Sequence, residues 1–202
     1  MSTQSPSRRS GKRQPRRTGG PPTRPEAIAT VRHWVESVVV GLNLCPFAGP
    51  VLQRNLLRIE VIDTPHVSDC LQQVAEEAAR LDAQKHDDAT TLLVLPDGFN
   101  DFADYLDLLQ LSTALLDNLG FSGRLQLASF HPAYQFEGTL IDDVSNWTNR
   151  APYPVLHLLQ EAAISRAAEQ HGNIEGIPER NIKRLQELGL EAVLALMPSP
   201  ND

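Results

Sequence analysis

Apolar positions fall in alternating helix-spaced and strand-spaced blocks along the chain. Ile28, Val31, Val35, Val38 and Leu42 recur at intervals of three and four, which predicts an amphipathic helix over 25–42. Pro46 disfavours helical geometry at Cys45 and should end that element, leaving Cys45 at or just beyond a helix C-terminus. Over 56–62, Leu57, Ile59 and Val61 alternate with Arg58 and Glu60, the pattern of a strand with one wet face. Thr64 and Pro65 then supply an N-cap and a first helical position. Leu71, Val74, Ala75, Ala78 and Leu81 make the stripe of a second helix, with Cys70 packed beside it.

The run TTLLVL over 90–95 suits a central strand buried on both faces. A third helix carries Phe102, Tyr105, Leu106, Leu109, Leu116 and Leu119 and stops at Gly120. Residues 124–130 form a third strand. From Pro132 to Ala151 no period is visible, a long loop for a compact domain. The segment VLHLLQEAAISRAAEQ after Pro152 and Pro154 reads as a fourth helix. A fifth opens at Ile177-Pro178 and stops at Gly189, and 191–197 is a last helical turn or a short strand.

Helices alternating with strands imply crossover connections. The expected fold is a single α/β domain with a three- or four-stranded mixed or parallel sheet and flanking helices. A two-layer ferredoxin-like sandwich competes with it. The domain is expected over 25–197, with a tail over 1–24 and a frayed end over 198–202.

Charge divides the chain. Seven of the 18 basic residues and none of the 25 acidic ones lie in 1–24, so the remainder holds 11 basic against 25 acidic residues and carries −14. Such a body is a poor polyanion binder, and nucleic acid is expected to make at most weak contact through the tail. The tail, rich in Ser, Arg, Gly and Pro, lacks the apolar surface to offset its ordering entropy and is expected to be disordered. It has no apolar h-region, and no run approaches the ~20 apolar residues of a membrane span. A cytoplasmic location is therefore expected, without membrane contact. Two cysteines and no CxxC pair argue against a structural disulfide or a zinc ribbon.

Candidate chemistry concentrates around the long loop, because ordered loops on a rigid scaffold commonly carry function. His131 stands at a strand end, stiffened by Pro132. His157 and Glu161 would share one face of the fourth helix, four residues apart. Cys45, His131 and His157 are the candidate catalytic residues. With Glu161 they could form a metal site, and N/S ligands with an open position suit Zn or Fe. Without metal, the same set suits a thiol nucleophile with a histidine base. Asn149 and Arg150, at the N-terminus of the fourth helix, would seat a small anion, with Tyr134 and Tyr153 as pocket walls. The alternative for Arg150 is a pair with Asp142 or Asp143 that pins the loop.

The segments NLCPFA (43–48), SFHPAYQFEGT (129–139), TNRAPYP (148–154), HLLQEA (157–162) and IPERNIKRLQELG (177–189) resemble a bacterial family catalogued as a domain of unknown function, numbered fourteen-fifteen. The resemblance runs from about Glu26 to Leu190. It implies one family domain with the tail outside it, and it carries no reaction, cofactor or catalytic residue. The expected function is a small-molecule enzyme with a Cys/His site, metal- or thiol-dependent, acting on an anionic substrate. The alternatives are a non-catalytic small-anion binding module, or an interaction protein that uses its basic tail.

Overall fold

The computed structural model describes residues 22–171 and 176–198. Nearly all of the basic tail and the last four residues lie outside this range. Four strands form one mixed sheet in the order β1-β2-β4-β3, where β1 is Leu57–Val61, β2 Thr90–Val94, β3 Leu125–Phe130 and β4 Val155–Gln160. β1 and β2 are parallel, joined by α3 (Val67–Asp82), and α4 (Phe102–Asn118) leads from β2 to β3. The chain then returns through the long loop and inserts β4 antiparallel between β2 and β3.

β4 corrects the expected fourth helix: VLHLLQ is strand, and the helix α5 (Glu161–His171) begins only after it. A short apolar run has no period that separates a buried strand from a buried helix. Being central, β4 is covered on both faces, so it shows no alternation. EAAISR is helical, and its pattern continues without a break into the six strand residues before it.

Helices cover both sheet faces, which excludes the two-layer alternative. On one face, α3 and α4 pack against Leu93, Leu95, Leu156 and Leu158. On the other lies α1 (Arg24–Trp34), which continues as a π-helical stretch, Val35–Val40, with Gly41 N–H bonded to Glu36 O at 3.0 Å. The short α2 (Ala48–Gln53) follows, and α6 (Ile177–Leu188) and α7 (Leu190–Leu196) close this side, burying Leu185 and Val193 with Ile59, Leu92 and Val155. The last segment is thus helical. Arg24, assigned to the tail by composition, opens α1 and pairs with Glu60. α3 starts two residues later than expected, at Val67, with the Thr64 hydroxyl accepting from His66 N–H at 3.2 Å. Leu106 and Leu119 stay 41% and 48% exposed, and the buried face of α4 is Tyr105, Leu108, Ser112 and Leu116.

The loop between β3 and β4 is held by side chains standing in for a backbone ladder. Asn146, fully buried, accepts from Phe136 N–H and the Thr139 hydroxyl, each at 2.9 Å, and donates to Leu140 O at 2.8 Å. The neighbouring 3-10 turn, Val144–Thr148, is capped by the Asp143 carboxylate. Removing such a hub strands buried partners at about 1–3 kcal/mol each. Asn146→Ala is therefore expected to lower stability by about 3 kcal/mol in urea unfolding and to expose 132–150 to limited proteolysis; a loss under about 1 kcal/mol would contradict the hub role.

Candidate functional site

Strand parity decides which candidate side chains can meet. His157 is paired with Leu92 on β2 and Ala128 on β3, so it lies in a cross-strand row on the sheet face under α1. His131 lies three residues beyond Ala128 and turns to the opposite face, where its ring stands 5.1 Å from Phe102 and 5.0 Å from Tyr105 of α4. The sheet separates the two imidazoles.

His131 is fully buried and structural. Its Nδ1 accepts from Ala133 N–H at 3.0 Å, so Nε2 carries the proton and donates to Phe99 O at 2.9 Å. Phe99 adopts φ +53°, which turns its carbonyl toward the ring. Both nitrogens are spent tying the exit of β3 to the loop before α4, and burial lowers the pKa.

The anion seat also dissolves. Arg150 precedes a strand, and its guanidinium donates to Tyr134 O at 3.1 Å and Ile141 O at 2.6 Å while lying 4.7 Å over Trp147. It pins the loop through carbonyls rather than through Asp142 or Asp143. Asn149 accepts from the Thr148 hydroxyl and donates to Ser129 O. Tyr134 meets Phe102 at a tilt and Phe136 edge-on, and Tyr153 is buried in the core beneath α1. Glu161 opens α5 and is separated from His157 by strand residues spanning about 13 Å. Among the described residues, no three His, Cys, Asp or Glu side chains cluster where they could hold a metal ion. Cys45, His131, His157 and Glu161 therefore do not fit Zn or Fe as a set.

One pair from that set survives. Cys45 and His157 both line a cavity of about 600 Å³ between the sheet face and α1, α2 and α5. The walls are apolar, including Trp34, Val39, Phe47, Val51, Leu92 and Phe130. At the rim, Arg54 bridges to Asp88 at 2.6 Å, and Arg166 binds Asp87 and Asp88 at 2.8 and 2.9 Å. Trp34 meets Phe130 edge-on at 5.2 Å, and its indole N–H has no acceptor among the described residues.

Cys45 lies ahead of α2 as well as beyond the first helix. The amides of Phe47 and Ala48 and the charge of Arg180 favour its thiolate, but burial outweighs them and holds the thiol above its ordinary range. α6 positions this turn: Asn181 donates to Leu44 O at 2.7 Å and Arg180 to Asn43 O at 3.1 Å. Two separated segments of the sequence, 43–48 and 177–189, are therefore one structural unit.

The proton of Thr90 settles the state of His157. Thr90 Oγ1 lies 2.6 Å from both Leu158 O and His157 Nε2. A carbonyl cannot donate, so the single hydroxyl proton goes to Leu158 O and His157 Nε2–H donates to Thr90. Nδ1 is then a lone-pair acceptor. It has no hydrogen-bond partner among the described residues, and His157 lines the cavity. Burial pushes the imidazole pKa down to about 4.

The chain matches the family described as "Protein of unknown function (DUF1415)" over residues 26–195. It belongs to that family. No curated protein and no solved structure matches it. The family domain takes in Cys45, His157 and every wall of the cavity, and it leaves the basic tail outside.

Neither Thr90 nor the Arg54–Asp88–Arg166 rim was singled out by spacing. The available signal was a polar residue inside each of two buried strands, Thr90 and His157, which a core admits only when the two are paired. A pH prediction follows from the imidazole. Its folded pKa lies below the unfolded value near 6.5, so the unfolded chain takes up the proton first as pH falls. Stability from neutral His157 is complete above about pH 6.5 and is lost toward pH 4. The expected loss is about 2–3 kcal/mol, measurable in urea titrations across that range. His157→Gln should reduce the slope and leave the part contributed by His131; an unchanged slope in that variant would rule out His157 as a cause.

Proposed function

We propose that this protein binds a small, predominantly apolar molecule in the cavity between the central sheet and α1, α2 and α5. The observation that carries the reading is the cavity itself. At about 600 Å³ it has the size, the apolar walls and the sparse polar groups of small-molecule sites. Its floor is the rigid sheet, and Asn181 and Arg180 hold its edge at Cys45 from α6. The anionic-substrate reading loses support, since Arg150 and Asn149 are committed to the loop.

A second reading, thiol chemistry at Cys45, is favoured by one specific observation: two amides and Arg180 stabilise the thiolate, and His157 shares the cavity. Against it, burial raises the thiol and lowers the imidazole, so a Cys–His ion pair is disfavoured on both sides.

Two measurements test these readings. Ala163→Leu places a larger side chain into the cavity from α5. It should weaken binding of an uncharged naphthalene fluorophore at least ~10-fold, since each buried CH₂ is worth about 0.8 kcal/mol and the probe loses the matching space. Unchanged affinity, or no binding by the parent chain, would remove the cavity from consideration. For the thiol, alkylation of Cys45 should be slow near neutral pH and should still be rising at about pH 9. A fast, pH-independent rate between about pH 6 and 8 would instead favour thiol chemistry.

A further inference from the structure

We infer that the cavity selects a neutral molecule carrying one hydrogen-bond donor, an alcohol, phenol or ring N–H, received by His157 Nδ1. This rests on the apolar-ligand reading and names the ligand class within it.

Three observations converge. First, the hydroxyl proton of Thr90 is committed to Leu158 O, which fixes the imidazole as the Nε2–H tautomer and leaves Nδ1 as an acceptor on a side chain that lines the cavity. Second, this lone pair belongs to the middle residue of an otherwise apolar cross-strand row, Leu92, His157 and Ala128, at the floor of the cavity. A ligand buried there without a donor would strip water from Nδ1 and replace it with nothing, and leaving a polar atom unsatisfied costs more than a hydrogen bond gains. Third, among the described residues every charged side chain that lines the cavity is already ion-paired. The rim cations Arg54 and Arg166 are matched by Asp87 and Asp88. The thiol and the imidazole are both held in their uncharged forms by the apolar walls. A charged head group would lose hydration inside with no counter-charge in return.

The selection rule differs from simple apolar binding. A hydroxyl and its methyl ether present nearly the same apolar body, and only the hydroxyl satisfies Nδ1. A site built to accept a hydrogen bond rejects the analogue that lacks the donor more strongly than a greasy pocket rejects an extra methyl.

The test uses the full chain at neutral pH with three probes, 2-naphthol, 2-methoxynaphthalene and 2-naphthoate. Affinity is read by fluorescence titration, and occupancy by protection of Cys45 from alkylation. The naphthol is expected to bind at least ~10-fold tighter than the ether, with the naphthoate weakest. His157→Leu should erase the preference, and His157→Gln should keep it, because its amide can donate to Thr90 and still offer an oxygen to the ligand. Should the leucine variant fail to fold, the wild-type probe pair and the glutamine variant still decide. Equal binding of naphthol and ether, both protecting Cys45, would overturn the donor rule and leave the cavity reading standing. Tightest binding of the naphthoate would overturn neutrality. Binding of none of the three would overturn the cavity reading itself.

Discussion

The insertion of β4 between two strands that run opposite to it is the constraint on which the rest of the structure depends. It makes β4 the one strand with neighbours on both sides that is also antiparallel to both. Hydrogen bonding therefore fixes its register twice, against Leu92 and against Ala128 at the same residue, His157. A slip of one residue would carry the imidazole into the leucine layer under α3 and α4 and bring Leu156 and Leu158 out of it. The long loop is not required by this arrangement, because adjacent antiparallel strands such as β3 and β4 can be joined by two residues. It is an addition to the fold, and the side chains of Asn146 and Arg150 and the His131 ring supply hydrogen bonds that hold it.

Two histidines that look equivalent in sequence have opposite fates because of strand parity. His131 has both ring nitrogens satisfied by backbone, which makes it a tie between β3 and the loop before α4. His157 has one nitrogen satisfied by Thr90 and one left open. Burial lowers the pKa of both, so the shift by itself says nothing about role. Hydrogen-bond accounting separates them. His131 has no valence left over, whereas His157 keeps an acceptor nitrogen with no partner among the described residues.

The α/β class, the three helices and three strands up to residue 130 and the long irregular loop were legible because each rests on a local pattern. Alternation in β1, the apolar run of β2 and the glycine stop after α4 need no tertiary information. β4 was not legible, since a strand flanked on both sides and covered on both faces has lost the alternation that would mark it. The site suffered from that one error. With 155–160 read as helix, His157 and Glu161 appear as neighbours and Arg150 as a helix-start cation. With the same residues in a strand, Glu161 moves away, Arg150 turns to the loop, and His157 meets Thr90, sixty-seven positions earlier. Cys45 was half legible: Pro46 marks the end of one helix, but the short α2 that starts at Ala48 and reverses the local field was hidden in AGPVLQ.

The cavity is an apolar cleft partly open to solvent. Apolar surface left facing it forgoes the stabilisation that burial would give. Here small side chains, Ala48, Ala128 and Ala163, stand on three different walls where larger apolar residues would close the gap. Beside them the π-helical stretch Val35–Val40 widens the helix that roofs the space, and π-helical turns tend to mark functional sites. An acceptor nitrogen at the floor adds a second cost that a leucine at the same position would not carry. Packing and polarity thus both carry a cost at one spot. A site that only needed charge would not require the volume, and a core that only needed stability would not keep the imidazole. A small neutral ligand that fills the space and satisfies the nitrogen accounts for both.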